Sequence, residues 1–214
     1  MNIKIFNVAL GLILTATAIS ASAQKAYKEG VITVSTAMQG QQVEAKSYFR
    51  ADSAAMQFTT GPATIKILTD AEGKSLAILV DVPVASIKKA AIATPDELDQ
   101  ALASLPTLTF APSTETKVIS GFNCKKVVAT DSKTSKTYDV WVTNDVTLPV
   151  TGIAKYYRSA GGFPIQYTSF SQGQTTEVTV RNITEQKNPA GTFGIPADYD
   201  KITLDDLKAM SGGR

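Results

Sequence analysis

The sequence predicts a mainly β domain of the α+β class, with an antiparallel sheet, one amphipathic helix inserted in mid-chain and a short helix near the C-terminus. Three observations lead to this prediction. Short segments rich in Val, Ile and Thr alternate apolar and polar residues along most of the chain. Turn residues, chiefly Gly, Asp, Asn and Ser, separate these segments. Only two segments have helical spacing, so few strands alternate with helices and a parallel sheet is not expected.

The first element in the chain is an export signal, predicted over residues 1–23. Lys4 provides a positive start, an apolar stretch follows over residues 5–19, and a small-x-small cleavage site ends at Ala23. The apolar stretch is short for a transmembrane helix, which needs about 20 residues. A retained N-terminal anchor is the alternative interpretation. We expect the mature chain, residues 24–214, to fold as a single domain that is periplasmic or secreted and does not span a membrane.

Six strands are predicted before the first helix. They cover residues 30–35, 43–50, 55–60, 64–69, 75–80 and 84–92. The fourth and fifth of them are joined by residues 70–74, a short loop in which Gly73 can take the left-handed conformation that such a hairpin requires.

The mid-chain helix has the clearest start signal in the sequence. Thr94 and Glu97 have the spacing of a capping box, in which each side chain bonds the other residue's backbone amide. Pro95 stands at the first helical position, and Pro106 ends the helix. One face of this helix carries Leu98, Ala101, Leu102 and Leu105.

The second half of the chain returns to strands. They are predicted over residues 107–111, 116–120, 125–129, 137–143, 165–170 and 175–184. The intervening segment 152–164 contains two adjacent glycines and a proline, which predicts a loop. A short capped helix is predicted over residues 203–207.

The composition excludes several kinds of chemistry. The chain has no histidine and one cysteine, so Ser-His-Asp catalysis, ordinary zinc sites and an intrachain disulfide are not expected. Its net charge of +2 comes without a basic stripe, so nucleic acid is not an expected partner. Four carboxylates, those of Asp198, Asp200, Asp205 and Asp206, lack the spacing of a calcium loop. We expect a protein that is not an enzyme and that uses no cofactor or metal.

Two single residues have alternative interpretations. Cys124 is either a reactive thiol, with a pKa lowered by Lys125 and Lys126, or a small buried side chain at the start of a strand; burial is favoured. Trp141 lies in a strand where alternation places it on one face with Asp139 and opposite Val140. It is either part of the core or sheet surface, or a platform for a ligand.

Three segments carry a resemblance to a known family. Residues 117–126 (KVISGFNCKK) are similar to a hairpin with the pattern I-x-G-aromatic-x-C-K, and residues 138–143 (YDVWVT) to the V-W-V-T strand that follows it. Residues 193–199 (FGIPADY) resemble an F-x-I-P-x-x-Y closing segment. This is the pattern of the uncharacterised DUF4412 family, which resembles the outer-membrane lipoprotein carrier (LolA/LolB-like) superfamily.

The resemblance implies an antiparallel half-barrel, or a strongly curved sheet, with helices against its concave face and an apolar ligand held between them. The side chains then expected to line the ligand site are Leu98, Leu102, Leu105 and Trp141. If the helix covers the sheet loosely, the space beneath it is an apolar pocket; if tightly, that space is core.

Two functions of different classes follow. The first is a periplasmic protein that binds or carries a lipid or another apolar molecule. The second is a secreted structural or protein-interaction domain, with a protein partner and a core filled by its own side chains. An enzyme is a third and less favoured hypothesis, because no complete catalytic motif is present.

Overall fold

The computed structural model describes residues 24–38, 41–149, 152–171 and 174–211. The predicted export signal, residues 1–23, lies outside the described residues. The chain enters the fold at β1 (Lys25–Ala26), a two-residue strand that pairs in parallel with β11 (Val146–Thr147), apart from the main sheet.

The first half of the chain forms six antiparallel strands that pair in chain order. They are β2 (Gly30–Met38), β3 (Gln41–Arg50), β4 (Ser53–Thr60), β5 (Ala63–Asp70), β6 (Leu76–Val82) and β7 (Ile87–Ile92). The predicted hairpin of β5 and β6 is confirmed, and Gly73 takes a positive φ of 68° there. The last strand begins later than predicted. A 3₁₀ turn, Pro83–Ala85, comes first. It is followed by Ser86, which has the left-handed backbone conformation and directly precedes β7.

The second half adds five more antiparallel strands. They are β8 (Leu108–Ile119), β9 (Phe122–Asp131), β10 (Thr137–Thr143), β12 (Phe163–Ser171) and β13 (Gln174–Glu185). The two segments predicted at 107–111 and 116–120 form one strand, β8, with an irregularity between Pro112 and Thr116 because proline cannot donate to the ladder. Ser120 and Gly121, with φ of 52° and 86°, make the tight turn into β9.

The two groups of strands join in the middle of one twelve-stranded sheet, where β13 pairs with β2. The Thr36 hydroxyl donates to the Glu177 carbonyl across this joint, 141 residues away along the chain. A short strand, β14 (Asp200–Ile202), pairs in parallel with β7 and forms one edge of the sheet. The other edge is β8, and because β14 and β8 do not pair, the sheet is not closed. Apart from the β14–β7 pair, the neighbouring strands of this sheet are antiparallel.

The described residues form three α-helical segments and two 3₁₀ turns. The predicted mid-chain helix is confirmed as α1 (Pro95–Ala103), with both bonds of the Thr94–Glu97 capping box in place. A single helical turn, α2 (Ile153–Tyr156), and a 3₁₀ turn, Arg158–Ala160, lie in the segment that was predicted to be a loop. The C-terminal helix, α3 (Leu204–Ser211), is longer than predicted.

A buried carboxylate links the two longer helices. Glu97 accepts from its own capping residue, and its other oxygen accepts from the backbone N–H of Asp205 at 2.9 Å, in the first turn of α3. Negative charge at a helix N-terminus is stabilising, and here one side chain serves two helices. In the described part of the chain, no helix combines the length and apolarity needed to cross a membrane.

Each face of the sheet carries its own hydrophobic core. The face that carries Val34, Val140 and Val180, here called the inner face, holds most of the larger core, which extends over β2, β3, β9, β10, β12 and β13. The opposite or outer face holds a smaller core on β4 to β7, which includes Ala55 and Leu79. The closing segment 193–199 covers this smaller core with Phe193, Ile195 and Tyr199. On β4 to β7, alternation along the strands places the side chains of the smaller core, such as Ala77 and Leu79, on the same face.

Candidate functional site

A cavity of about 150 Å³ lies on the inner face. Its walls come from six adjacent strands, β12, β13, β2, β3, β4 and β5, and from the segment after β11. The lining residues are Ile32, Val34, Ser47, Ala54, Met56, Ile67, Thr69, Gly152, Phe163, Tyr167 and Val180. Apart from the hydroxyls of Ser47, Thr69 and Tyr167, the lining side chains are apolar, so the cavity suits an apolar occupant.

Burial shows which side of the cavity is deep and which is open. The lining residues on β2, β12 and β13, such as Val34, Tyr167 and Val180, are buried. Of the five on β3 to β5, four are only half-buried, namely Ser47, Met56, Ile67 and Thr69, and Ala54 is buried. The cavity therefore opens on the side of β3, β4 and β5, and we call this opening the mouth.

The apolar surface continues beyond the mouth across β5, β6 and β7. Ile67 of the mouth lies directly opposite Ile78 on β6, and Ile65 lies opposite Val80. Leu76 and Ile87 extend the same face. All six residues are half-buried. These half-buried branched side chains lie beside the apolar cavity and extend its apolar surface.

Residues 152–160, which we call the strap, contact both halves of the sheet. At one end, a Cβ added to Gly152 would lie 3.5 Å from the Ala54 side chain on β4, and Lys155 Nζ donates to the Glu72 carbonyl in the β5–β6 turn. At the other end, the Tyr156 hydroxyl donates to the Pro106 carbonyl at 2.6 Å and the Tyr157 hydroxyl donates to the Thr168 carbonyl. The strap therefore bridges the inner face beside the cavity.

Aromatic rings fill the space between the strap and the second half of the sheet. Tyr157 is fully buried, with ring centroids of Phe110 and Tyr167 at 5.9 and 5.4 Å. Tyr156 packs against Tyr157 and Phe170 at 5.2 and 6.0 Å. Burial raises the pKa of Tyr156 to about 12 and that of Tyr157 further, so both phenols stay neutral as hydrogen-bond donors.

The four residues predicted to line a ligand site lie outside the lining of this cavity. Leu98 and Leu105 are half-buried, and Leu102 is 49% exposed. Trp141 is 8% exposed and belongs to the larger core, and the Lys117 ammonium lies 4.0 Å from its ring centroid. The structure does not bring Trp141 together with the leucines, and contact of these four with a ligand stays a prediction.

Sequence reasoning missed the residues that do line the cavity. Ser47, Met56 and Ile67 alternate along ordinary strands and carry no local mark that separates them from core or surface residues. Their common feature is that six strands bring them to one place, which only the topology reveals.

The burial interpretation of Cys124 is confirmed, since the residue is 2% exposed and free. Burial raises the pKa of its thiol from an ordinary value of 9.0 to about 11. Each pKa unit changes the thiolate fraction tenfold, so the folded protein should react with a disulfide reagent such as DTNB at least about 100-fold more slowly than the unfolded protein. Absorbance kinetics with and without guanidinium would measure this ratio, and similar rates in both conditions would contradict the burial of the thiol.

A second depression is polar and lies near the β7 edge. Its lining residues are Asp81, Pro83, Ser86, Lys88, Asp198 and Asp200. Lys88 pairs with Asp198 at 2.6 Å and Lys89 with Asp200 at 2.9 Å, so two of the three carboxylates are neutralised within the protein. No three carboxylate or thiol groups of the described residues gather where they could hold a metal ion.

Comparison with known proteins places the chain in a family. The profile of the family described as "Domain of unknown function (DUF4412)" matches residues 29–199. No curated protein matches the chain. Two structures of PNGF-II, in the C2 and P21 space groups, are similar with TM-scores of 0.52 and 0.53 and sequence identities of 16% and 15%. Each similarity covers 87% of this chain but only 33% or 34% of the PNGF-II chain, and it concerns the fold. Since the family profile covers most of its residues, the chain belongs to the DUF4412 family.

Proposed function

We propose that this DUF4412 protein is an exported, non-enzymatic protein that binds or carries a lipid or another apolar molecule on the inner face of its sheet. One observation carries the proposal. An apolar cavity of about 150 Å³ opens through half-buried side chains onto a continuous half-exposed apolar face. Soluble proteins keep contiguous apolar surface low unless a ligand or partner covers it.

The proposed architecture is a half-barrel similar to that of the LolA/LolB-like carriers, with the inner face concave. The cavity supports this architecture because six adjacent strands contribute to its wall. In a flat sheet with strands about 4.8 Å apart, the outer two of six strands would be separated by roughly 24 Å. A strong curvature accounts for their meeting around one small cavity.

The size of the cavity limits how much of a ligand can enter it. An apolar cavity of about 150 Å³ holds a molecule the size of benzene, whereas sites for whole drug-sized ligands span about 300–1,000 Å³. One end of an apolar chain would fill the cavity, and the remainder would lie along Ile67, Ile78 and Val80. Each Å² of apolar area removed from water would contribute about 25 cal/mol to binding.

The proposed compartment is the periplasm or the extracellular medium. Support comes from the sequence of residues 1–23, which has the positive start, apolar stretch and small-residue cleavage site of an export signal.

A second candidate function is a structural or protein-interaction domain with a self-filled core. It is favoured by the strap, because Tyr156 and Tyr157 fill the β8–β12 half of the inner face with the protein's own rings. The open half, over β3 to β7, is the part that favours a ligand.

Native mass spectrometry of the mature protein, with lipid extraction, tests the carrier function. We expect a bound mass of lipid size that an apolar probe displaces. Replacing Ser47 with Phe should block the mouth and abolish the bound mass, because Ser47 is a half-buried lining residue. The matched control Lys46→Phe changes the neighbouring exposed residue and should retain the ligand. An apo mass that takes up neither lipid nor probe would contradict the carrier function and favour the interaction domain.

A further inference from the structure

Lys155 places an ammonium group beside the mouth of the cavity. Its backbone N–H donates to the Gly152 carbonyl at 3.1 Å, so it lies one turn after a residue that lines the cavity. A Cβ added to Gly73 would lie 3.1 Å from Lys155 Nζ, which puts the ammonium at the β5–β6 turn. Thr69, at the end of β5 before this turn, also lines the cavity.

The charge of Lys155 has no carboxylate partner at ion-pair distance within the described part of the chain. Its ammonium donates to a backbone carbonyl, that of Glu72, and the Glu72 carboxylate pairs with Lys74 instead. Asp70 is the other acid at this turn, and its Oδ1 accepts from the backbone N–H of Lys74 at 2.8 Å. Lys155 is also only half-buried, so an anion from solution can reach it.

Asp70 responds to Lys155 without forming an ion pair with it. Burial acts to raise the pKa of Asp70, but hydrogen bonds from Lys74, Ser75 and Gly73, together with the positive charge of Lys155, hold it below its ordinary value. Asp70 therefore stays ionised, and its carboxylate already accepts hydrogen bonds from backbone N–H groups and from the Ser75 hydroxyl. The ammonium remains available for a stronger, charge-assisted bond.

The apolar surface beside the cavity suits a ligand with a single hydrocarbon chain. The cavity admits only a chain end, and the half-buried face continues from it through Ile67 to Ile78 and Val80. A ligand with two bulky chains would need a larger enclosed volume.

We propose that the ligand is an unbranched long-chain carboxylate, a fatty acid, whose tail enters the cavity and whose carboxylate binds the Lys155 ammonium beside the mouth. This assignment rests on the proposed carrier function and adds the ligand class and a residue that determines specificity.

Oleic acid and oleyl alcohol have the same hydrocarbon chain, but only oleate carries a charge. Comparing their affinities therefore separates the contribution of the headgroup to binding from that of the chain. Measured by calorimetry below the micelle concentration of oleate and the solubility limit of oleyl alcohol, oleate should bind about tenfold more tightly than the alcohol, the gain of one charge-assisted hydrogen bond. Lys155→Met should remove this preference without changing the affinity for the alcohol. Lys155→Arg should restore the preference.

The matched control is Lys74→Met, in which an exposed lysine of the same turn, paired with Glu72, is neutralised. It should leave the oleate preference intact, and circular dichroism should show all variants folded. If the wild type binds neither ligand, the carrier function itself is wrong. If both ligands bind equally, or Lys155→Met keeps the preference for oleate, the fatty-acid assignment is overturned while the apolar binding site stands.

Discussion

Replacing Tyr157 with Ala should lower the free energy of unfolding by about 3–5 kcal/mol, the range for deleting a large buried aromatic ring. Tyr157 is fully buried and packs between Phe110 and Tyr167. Its loss would leave a cavity under the strap and release the bond to the Thr168 carbonyl. Equilibrium denaturation in urea, followed by the fluorescence of the single tryptophan, would measure the change.

The conservative variant Tyr157→Phe separates the ring from the hydroxyl. It keeps the packing and removes only the hydrogen bond to the Thr168 carbonyl, so a loss of about 1 kcal/mol is expected. If the Ala variant were as mild as the Phe variant, the ring would not anchor the strap.

Replacing Leu79 with Ala should destabilise the protein by about 2–5 kcal/mol, because this side chain is 2% exposed in the outer-face core. It lies opposite Ala90 on β7, and the core around it is covered by Phe193 and Ile195 from the closing segment. The matched control is Leu102→Ala, the same substitution at a residue that is 49% exposed. That variant should change the stability by no more than about 0.5 kcal/mol.

Chemical denaturation of the two leucine variants under identical conditions tests the division into cores. Equal losses for Leu79 and Leu102 would show that the leucine face of α1 is as tightly packed as the outer-face core. A small loss for Leu79 alone would show that the closing segment adds little to stability.

Those parts of the fold that depend on local chemistry could be predicted from the sequence. The capping box of Thr94 and Glu97 and the left-handed Gly73 place the first helix and one hairpin correctly, because each acts through residues a few positions away. The burial of Cys124 followed from its strand position.

The remaining features depend on contacts between distant segments. A loop was predicted over residues 152–164, which include the strap, because the adjacent glycines and the proline of this segment are local signals. The position of Tyr157 depends instead on its contact with Phe110, which lies on β8. The cavity could not be predicted either, because its wall unites β2 with β12 and β5. Ser47 alternates with its neighbours as any strand residue does, and the sheet topology alone gives it a place at the mouth.

The pairing of β2 with β13 has a consequence for the order of folding. β2 is near the start of the described chain and β13 near its end, and the Thr36–Glu177 bond joins residues 141 positions apart. A chain made or exported N-terminus first can complete β2 to β7 early, but the β2 edge stays unpaired until nearly the whole chain has emerged. Such non-local pairing predicts slow folding, and an interval in which an unpaired, β-branched edge is open to aggregation or to a chaperone.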